Sequence, residues 1–309
     1  CALLPKAIFN GTGWVATNVN YLWTVALGLY ALLPVQKLLA GEKLKGYQVF
    51  LTLLAVLYAS NHELMMAALF AVYVPAFLWQ LIRRRFEPVL LAGVMIILGN
   101  LALILLAPGN LSRFQSEVAT WFPLYSSLSL FQKFFAGFSS TMFEFVMEPN
   151  LIFLVFGLSL FSLSLLGRNS LRVRIAAALP AGSVLLFGFV GSLFPGSPLG
   201  LLRSLVDVDG TTVTWAYFSV YWPTALYLLV IVSAACSLYA VLKDRKKSLP
   251  LLAGLGLGLV IRLMMSNSPT VWGSGERTFL LLYSALILAA AYLAGEASKK
   301  LMSAYKKQD

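Results

Sequence analysis

Apolar runs long enough to cross a bilayer alternate with short polar turns along the whole chain. A helical span needs about 20 apolar residues, with a lower limit near 17. Such runs fall at 20–36, 63–82, 88–106, 150–167, 174–194, 217–242, 249–266 and 278–295, and a shorter one at 47–61 completes a set of about nine. The pattern predicts an all-α fold: a polytopic transmembrane helical bundle, with one transmembrane domain over 1–309. Pro34, Pro75, Pro180 and Pro223 lie within or at the ends of spans, where neighbouring helices re-satisfy the freed backbone groups. Two stretches break the rhythm. Residues 107–149 are rich in aromatics (among them Trp121, Phe122, Tyr125 and Phe131) and poor in charge, which predicts an outer interfacial or re-entrant segment. Residues 195–216 carry Pro195, Pro198 and then DVDGTTVTW, which predicts an outer loop with a hairpin turning at Asp209-Gly210. Gly254, Gly256 and Gly258 form a stripe that predicts a close-packing helix face.

Composition agrees with this reading. Hydrophobic residues make up 60% of the chain and charged ones 11%, against roughly 25% charged in a soluble domain. The net charge of +11 would direct attention to nucleic acid in a soluble protein. Here the positives sit in short loops between apolar runs, so no nucleic-acid partner is expected. Of the 23 Lys and Arg, all but Lys6, Arg113, Lys133, Arg203, Arg262 and Arg277 fall in one alternating set of loops. The positive-inside rule makes that set cytoplasmic, and the Lys-rich C-terminus with it. Glu63, Glu117, Glu144, Glu148, Asp207, Asp209 and Glu276 then lie on the outer side. On this orientation residues 10–20 are also outside, and residues 1–9 read as the end of an earlier span, which implies an N-terminally truncated chain. Cys1 is either an internal residue of a longer protein or a lipid-modified terminus. Cys236, in an apolar run, reads as a packed thiol. Two cysteines supply neither a disulfide framework nor a metal site, and no metal or cofactor is expected.

The unusual polar residues gather at the outer ends of the spans, in four clusters. Trp14, Asn18, Asn20, Tyr21 and Trp23 lead into the first span. An aromatic belt at the membrane interface explains the rings; the asparagines add capacity to bind polar hydroxyls. Asn61, His62 and Glu63 form the second cluster, after the short run 47–61. That run rises about 22 Å as helix against a hydrocarbon core of about 30 Å, so the turn is expected to be recessed. There a carboxylate and the only histidine must be paired or face a polar cavity. A structural His–Glu pair and a functional site are both open at this point. The third cluster, Ala107 to Arg113, holds Asn110 and Arg113: either a turn with a snorkelling arginine or a planar fork for phosphate. The fourth runs from Ser266 through Trp272 to Glu276 and Arg277, with Arg262 one turn below. An anchoring salt bridge and a diphosphate site both fit it. Asp207-Val208-Asp209 has the spacing of a metal-binding D-x-D, though on the outer side, and Asn10-Gly-Thr and Asn110-Leu-Ser are glycosylation sequons.

Taken together, W-x-x-x-x-x-N-Y-L-W at Trp14–Trp23, N-x-E at Asn61–Glu63, A-P-G-N-x-x-R at Ala107–Arg113 and S-P-x-x-x-x-S-G-x-R at Ser268–Arg277 resemble a bacterial family of multi-pass proteins. That family is similar to the GT-C glycosyltransferases that decorate O-antigen and teichoic acids. The resemblance implies a GT-C-like fold in the bacterial plasma membrane. It implies transfer of a sugar from a polyprenyl-phosphate donor to a cell-envelope glycan on the outer face. His62 and Glu63 are then the candidate catalytic pair. Trp14, Asn18, Asn20, Tyr21, Asn61, Asn110, Arg113, Arg262, Trp272, Glu276 and Arg277 are the candidate substrate-binding residues. In such enzymes the catalytic carboxylates usually sit in the first outer loop after the first span, a loop this chain lacks, so the base is expected either at Glu63 or upstream. A transporter or flippase for a lipid-linked or polar substrate, and a non-catalytic envelope-assembly protein, are the alternatives. Polar clusters on one face and the lack of a visible internal repeat weigh against the transporter.

Overall fold

A computed structural model describes residues 18–206 and 218–305, together with Val15. Among these residues the secondary structure is entirely helical. Seven helices are long and apolar enough to cross a membrane, and an eighth crossing is available if a bent pair counts as one span. The chain is a multi-pass helical membrane protein. Two of the nine expected spans fall short by themselves. Gly46–Ala59 has only 14 residues, about 21 Å of helix. The expected span over 150–167 is Leu151–Leu166, which pairs with Leu130–Met147 across a 70° bend.

In chain order the helices are α1 (Asn18–Ala40), α2 (Gly46–Ala59), α3 (Glu63–Ile82), α4 (Pro88–Leu106), α5 (Gly109–Trp121), α6 (Leu130–Met147), α7 (Leu151–Leu166), α8 (Leu171–Leu193), α9 (Pro198–Ser204), α10 (Phe218–Leu242), α11 (Arg245–Asn267) and α12 (Leu280–Tyr305). A 3₁₀ turn, Gly275–Phe279, leads into α12. The chain divides into two compact units. Among the described residues, one comprises those up to 123 with 274–281, the other those of 124–273 with 282–305.

In the first unit α1 packs on α2 and α3, and α4 packs on α2 and α3. Polar side chains fasten these apolar helices by reaching the backbone of a neighbour. The Tyr73 hydroxyl donates to the Ala31 carbonyl at 2.7 Å, and Gln80 Nε2 donates to the Leu38 carbonyl at 2.5 Å. Asn100 Nδ2 donates to Ser60 Oγ at 2.6 Å and to the Leu57 carbonyl at 3.1 Å, tying α4 to the end of α2. All three side chains are buried, and each bond removes a desolvation cost that an apolar environment imposes. A Cβ on Gly93 would meet the Tyr73 ring at 2.5 Å, so the glycine lets α4 approach α3.

In the second unit α7 packs on α8, and α10 on α7, α8 and α11. At Gly157 a Cβ would meet the Ala181 backbone nitrogen at 2.6 Å, the close approach that small residues permit between membrane helices. The segment 107–149 holds two helices, α5 and α6. α5 buries none of its residues. α6 starts at a capping box, Ser129 with Gln132, and then buries every residue from Phe135 to Met142. Within 195–216, residues Pro198–Ser204 form a short helix; the expected hairpin turn at Asp209-Gly210 lies outside the described residues. Two expectations are corrected. Cys236 is exposed on α10, not packed. In the glycine stripe only Gly258 meets a neighbour, where a Cβ would lie 3.0 Å from Leu282 Cα; Gly254 and Gly256 face open space.

Candidate functional site

Within the first unit, residues from all four sequence clusters come together. Tyr21 lies in a π-helical turn, Asn18–Trp23, that opens α1; such widened turns recur at functional sites. His62 is the N-cap residue of α3, and its ring meets Tyr21 edge-on, with centroids 4.8 Å apart. From the segment after α11, the Arg277 guanidinium covers the Tyr21 ring at 5.4 Å. Arg113, on α5, lies within electrostatic reach of His62, Glu63 and Tyr21. The cluster is therefore two guanidiniums and an imidazole around one tyrosine, with the Glu63 carboxylate in electrostatic reach of Arg113.

Helix ends explain the positioning. The α2–α3 turn places His62 and Glu63 in succession, with Glu63 in the first turn of α3, where a negative charge complements the helix dipole. Pro108 precedes α5 and turns the chain out of α4, which brings Arg113 back over the α2–α3 turn. Each arginine is tethered locally through Nε: Arg113 to Glu117 Oε1 at 2.8 Å, Arg277 to the Ser274 carbonyl at 2.8 Å. The terminal nitrogens of each guanidinium are the edge that matches a phosphate bidentately. The Glu117 hydrogen bond holds Arg113 more basic than usual. Burial first, and the charge of Arg113 second, push His62 down from 6.5 to about 4. The imidazole is thus neutral near pH 7 and a weaker base than an ordinary histidine. Arg113, Arg277 and Glu63 are exposed, His62 and Tyr21 half-buried.

The other predicted residues fare differently. Asn18 and Asn20 share the π turn with Tyr21. Asn61 spends its amide on its own helix, donating to the Leu57 carbonyl at 2.7 Å. Asn110 likewise donates to the Ile104 carbonyl at the end of α4. Glu276 is half-buried and makes no ion pair with Arg277. Trp14, like Cys1, Asp207 and Asp209, lies outside the described residues. Arg262 and Trp272 belong to the second unit. Glu117, which organises Arg113, was named in the sequence only as an outer acidic residue; its i,i+4 spacing from Arg113 was the available signal.

Arg262 has a different setting. It is 2% exposed, donates to Ser140 Oγ and to the Val271 carbonyl at 3.4 Å each, and feels the charge of Glu144. Glu144 lies in a second π turn, Phe143–Met147, at the break between α6 and α7. Its Oε1 accepts from the Tyr283 hydroxyl at 2.7 Å and from Asn150 Nδ2 at 3.4 Å. Asn150 also donates to Tyr283 at 3.2 Å and caps α7 by accepting from the Phe153 N–H at 2.9 Å. Beside this network Arg203 pairs with Glu148 at 2.6 Å and donates to the Met147 carbonyl at 2.7 Å. The sequence marked neither Glu144 nor Asn150 as a site; Glu144 stood there only as one of three carboxylates in a long aromatic stretch.

Compared with family models, curated proteins and solved structures, the chain matches none. The functional reading therefore rests on the residues themselves.

Proposed function

We propose that the protein is a membrane glycosyltransferase that moves a sugar from a polyprenyl-phosphate donor to a cell-envelope glycan. The observation that carries the site is the gathering of Tyr21, His62, Glu63, Arg113 and Arg277 from four separate segments. The sugar chemistry comes from the motif resemblance. In this reading the Glu63 carboxylate, or His62 beside it, takes the proton of an acceptor hydroxyl. The hydroxyl oxygen bonds to the anomeric carbon as the bond from that carbon to the phosphate oxygen breaks. The leaving prenyl phosphate carries the electron pair, and Arg113 and Arg277 stabilise its charge. The asparagines of the π turn face the task of holding hydroxyls. The membrane is the bacterial plasma membrane, with the cluster outside and the basic loops and C-terminus cytoplasmic.

The test uses the full chain in lipid nanodiscs with a radiolabelled glycosyl prenyl phosphate and an envelope-glycan fragment. Wild type should release prenyl phosphate in step with labelled glycan. Glu63→Gln should lower turnover by roughly 10²-fold or more, and Arg277→Lys should lower it although charge is kept, because the bidentate fork is lost. Full activity in Arg113→Ala and Arg277→Ala would remove the phosphate role. Binding of a glycosyl prenyl phosphate without turnover, followed by its appearance in the opposite leaflet, would replace transfer with translocation.

A further inference from the structure

Two turns of the first unit lie side by side, at the ends of α1 and α3 opposite to the Tyr21 cluster. Residues 41–45 join α1 to α2, and residues 83–87 join α3 to α4. The hydrogen bond from Gln80 to the Leu38 carbonyl ties the ends of α1 and α3 together. Six cations crowd these ends: Lys37, Lys43, Lys45, Arg83, Arg84 and Arg85. All are exposed, and none makes an ion pair among the described residues. The same stretches carry only two carboxylates, Glu42 and Glu87, so positive charge remains in excess by four.

Two of the guanidiniums are held in place. Arg83 lies over the Trp79 ring, with Cζ 4.6 Å from its centroid. Gly41 turns the chain with φ of 80°, and a Cβ there would meet Arg85 Nη1 at 2.7 Å. Arg85 therefore reaches from the α3–α4 turn onto the α1–α2 turn and joins the two basic segments. Like charges gathered in this way repel, and an anion between them relieves the repulsion. The spans indicate which anion. α1, α3 and α4 are each long and apolar enough to cross a membrane, so the turns at their ends stand at the level of the headgroups. Tyr47, Ile82 and Phe86 are exposed beside the charges, which gives the patch an apolar border toward the acyl chains. Clusters of Lys and Arg at such a level attract anionic lipids.

We propose that these two turns bind the headgroup of an anionic phospholipid, with Arg83 and Arg85 on its phosphate and the lysines of the α1–α2 turn selecting for net negative charge. A phosphatidylcholine headgroup brings a quaternary ammonium that the excess positive charge repels; a phosphatidylglycerol headgroup does not. The site is separate from the Tyr21 cluster and does not depend on what that cluster does.

The test uses the full chain in a non-ionic detergent, titrated with phosphatidylglycerol or with phosphatidylcholine of the same acyl chains. Native mass spectrometry reads the lipid-bound fraction. Wild type should bind phosphatidylglycerol roughly tenfold more tightly than phosphatidylcholine, and added salt should erode that preference. A triple variant carrying Lys43→Gln, Arg83→Gln and Arg85→Gln should lose it. The matched control carries Lys246→Gln, Lys247→Gln and Lys299→Gln. It removes the same charge from the second unit, where Glu296 already pairs with Lys247 and Lys299, and should keep the preference. Equal binding of the two lipids by wild type would overturn the proposal, and this readout needs no variant to fold. A preference that survives in the first triple variant would overturn it as well. So would an equal loss in both variants, since net charge alone would then account for the binding. Displacement of the lipid by an equal concentration of inorganic phosphate would reassign the turns to a soluble anion and end the lipid reading.

Discussion

The two units each hold a carboxylate, a tyrosine and arginine, and each places one of those residues in a π turn, yet the two groups are built oppositely. In the first unit Arg113, Arg277 and Glu63 are exposed, and the tyrosine is held by ring contacts. In the second, Arg262, Tyr283 and Asn150 are 2%, 0% and 4% exposed, and hydrogen bonds join the last two to Glu144. Exposed charges keep their hydration, contribute little to stability and remain able to exchange water for a ligand. Buried ones are already committed, and the fold comes to depend on them. The same residue types thus mark a candidate ligand site in one place and an internal brace in the other.

The largest expected effect tests the brace. Arg262→Met should cost about 3–5 kcal/mol, because Glu144 loses a cation in apolar surroundings. It should appear as an early thermal transition in detergent, and the double variant with Glu144→Gln should recover much of the loss. Arg113→Ala or Arg277→Ala should stay within about 1 kcal/mol of wild type. If Arg262→Met were equally mild, the contrast between the units would collapse.

The two tyrosines sharpen it. Tyr283→Phe removes a hydrogen bond to a carboxylate inside the protein and should cost about 1–3 kcal/mol by denaturant unfolding. Tyr21→Phe keeps the ring that meets His62 and Arg277, and should change stability by no more than about 0.5 kcal/mol.

Acid should act on the first unit through His62, the only histidine in the chain. The folded protein holds it neutral down to about pH 4, while the unfolded chain protonates near 6.5. Its contribution is therefore complete above 6.5, declines as pH falls toward 4, and then levels off. After allowance for solvent at a half-buried ring, the loss should be on the order of 1–2 kcal/mol. The difference between wild type and His62→Gln across that range isolates it from carboxylate titration; parallel curves would show that the ring is not held neutral.

One modest effect should be the same in both units. Arg84, Arg168 and Lys243 follow helix ends with φ of 55°, 49° and 57°, a left-handed cap that glycine adopts without strain. Glycine at each should raise stability by about 0.5–1 kcal/mol. A gain confined to one unit would mean that these turns carry load unequally.

Much of the first group was legible in the sequence. Asn61-His62-Glu63 stood out because a carboxylate and an imidazole followed an apolar run too short to reach the headgroups, and Arg113 and Arg277 stood out as guanidiniums at span ends. Local chemistry and helix rise suffice for such statements. Their gathering around Tyr21 was not legible, since contacts across 41 to 256 positions of chain depend on how helices pack. Arg262 shows the limit most clearly. In the sequence it matched Arg277, a second cation beside the same loop, but the fold buries it in the other unit.

The sequence by itself determined the membrane class, the helical content and most of the spans, because hydrocarbon forces every backbone polar group into helical hydrogen bonds and apolar length is read directly from the chain. Tertiary structure alone decided which charges meet, which stay exposed, that Cys236 faces outward, and that Gly256 faces open space while Gly258 packs. Between helices in lipid there is no hydrophobic preference for one apolar face over another. The pairing is chosen by small residues and scattered hydrogen bonds, such as Gly157 against Ala181 and Tyr73 to Ala31, whose partners lie far away in the chain.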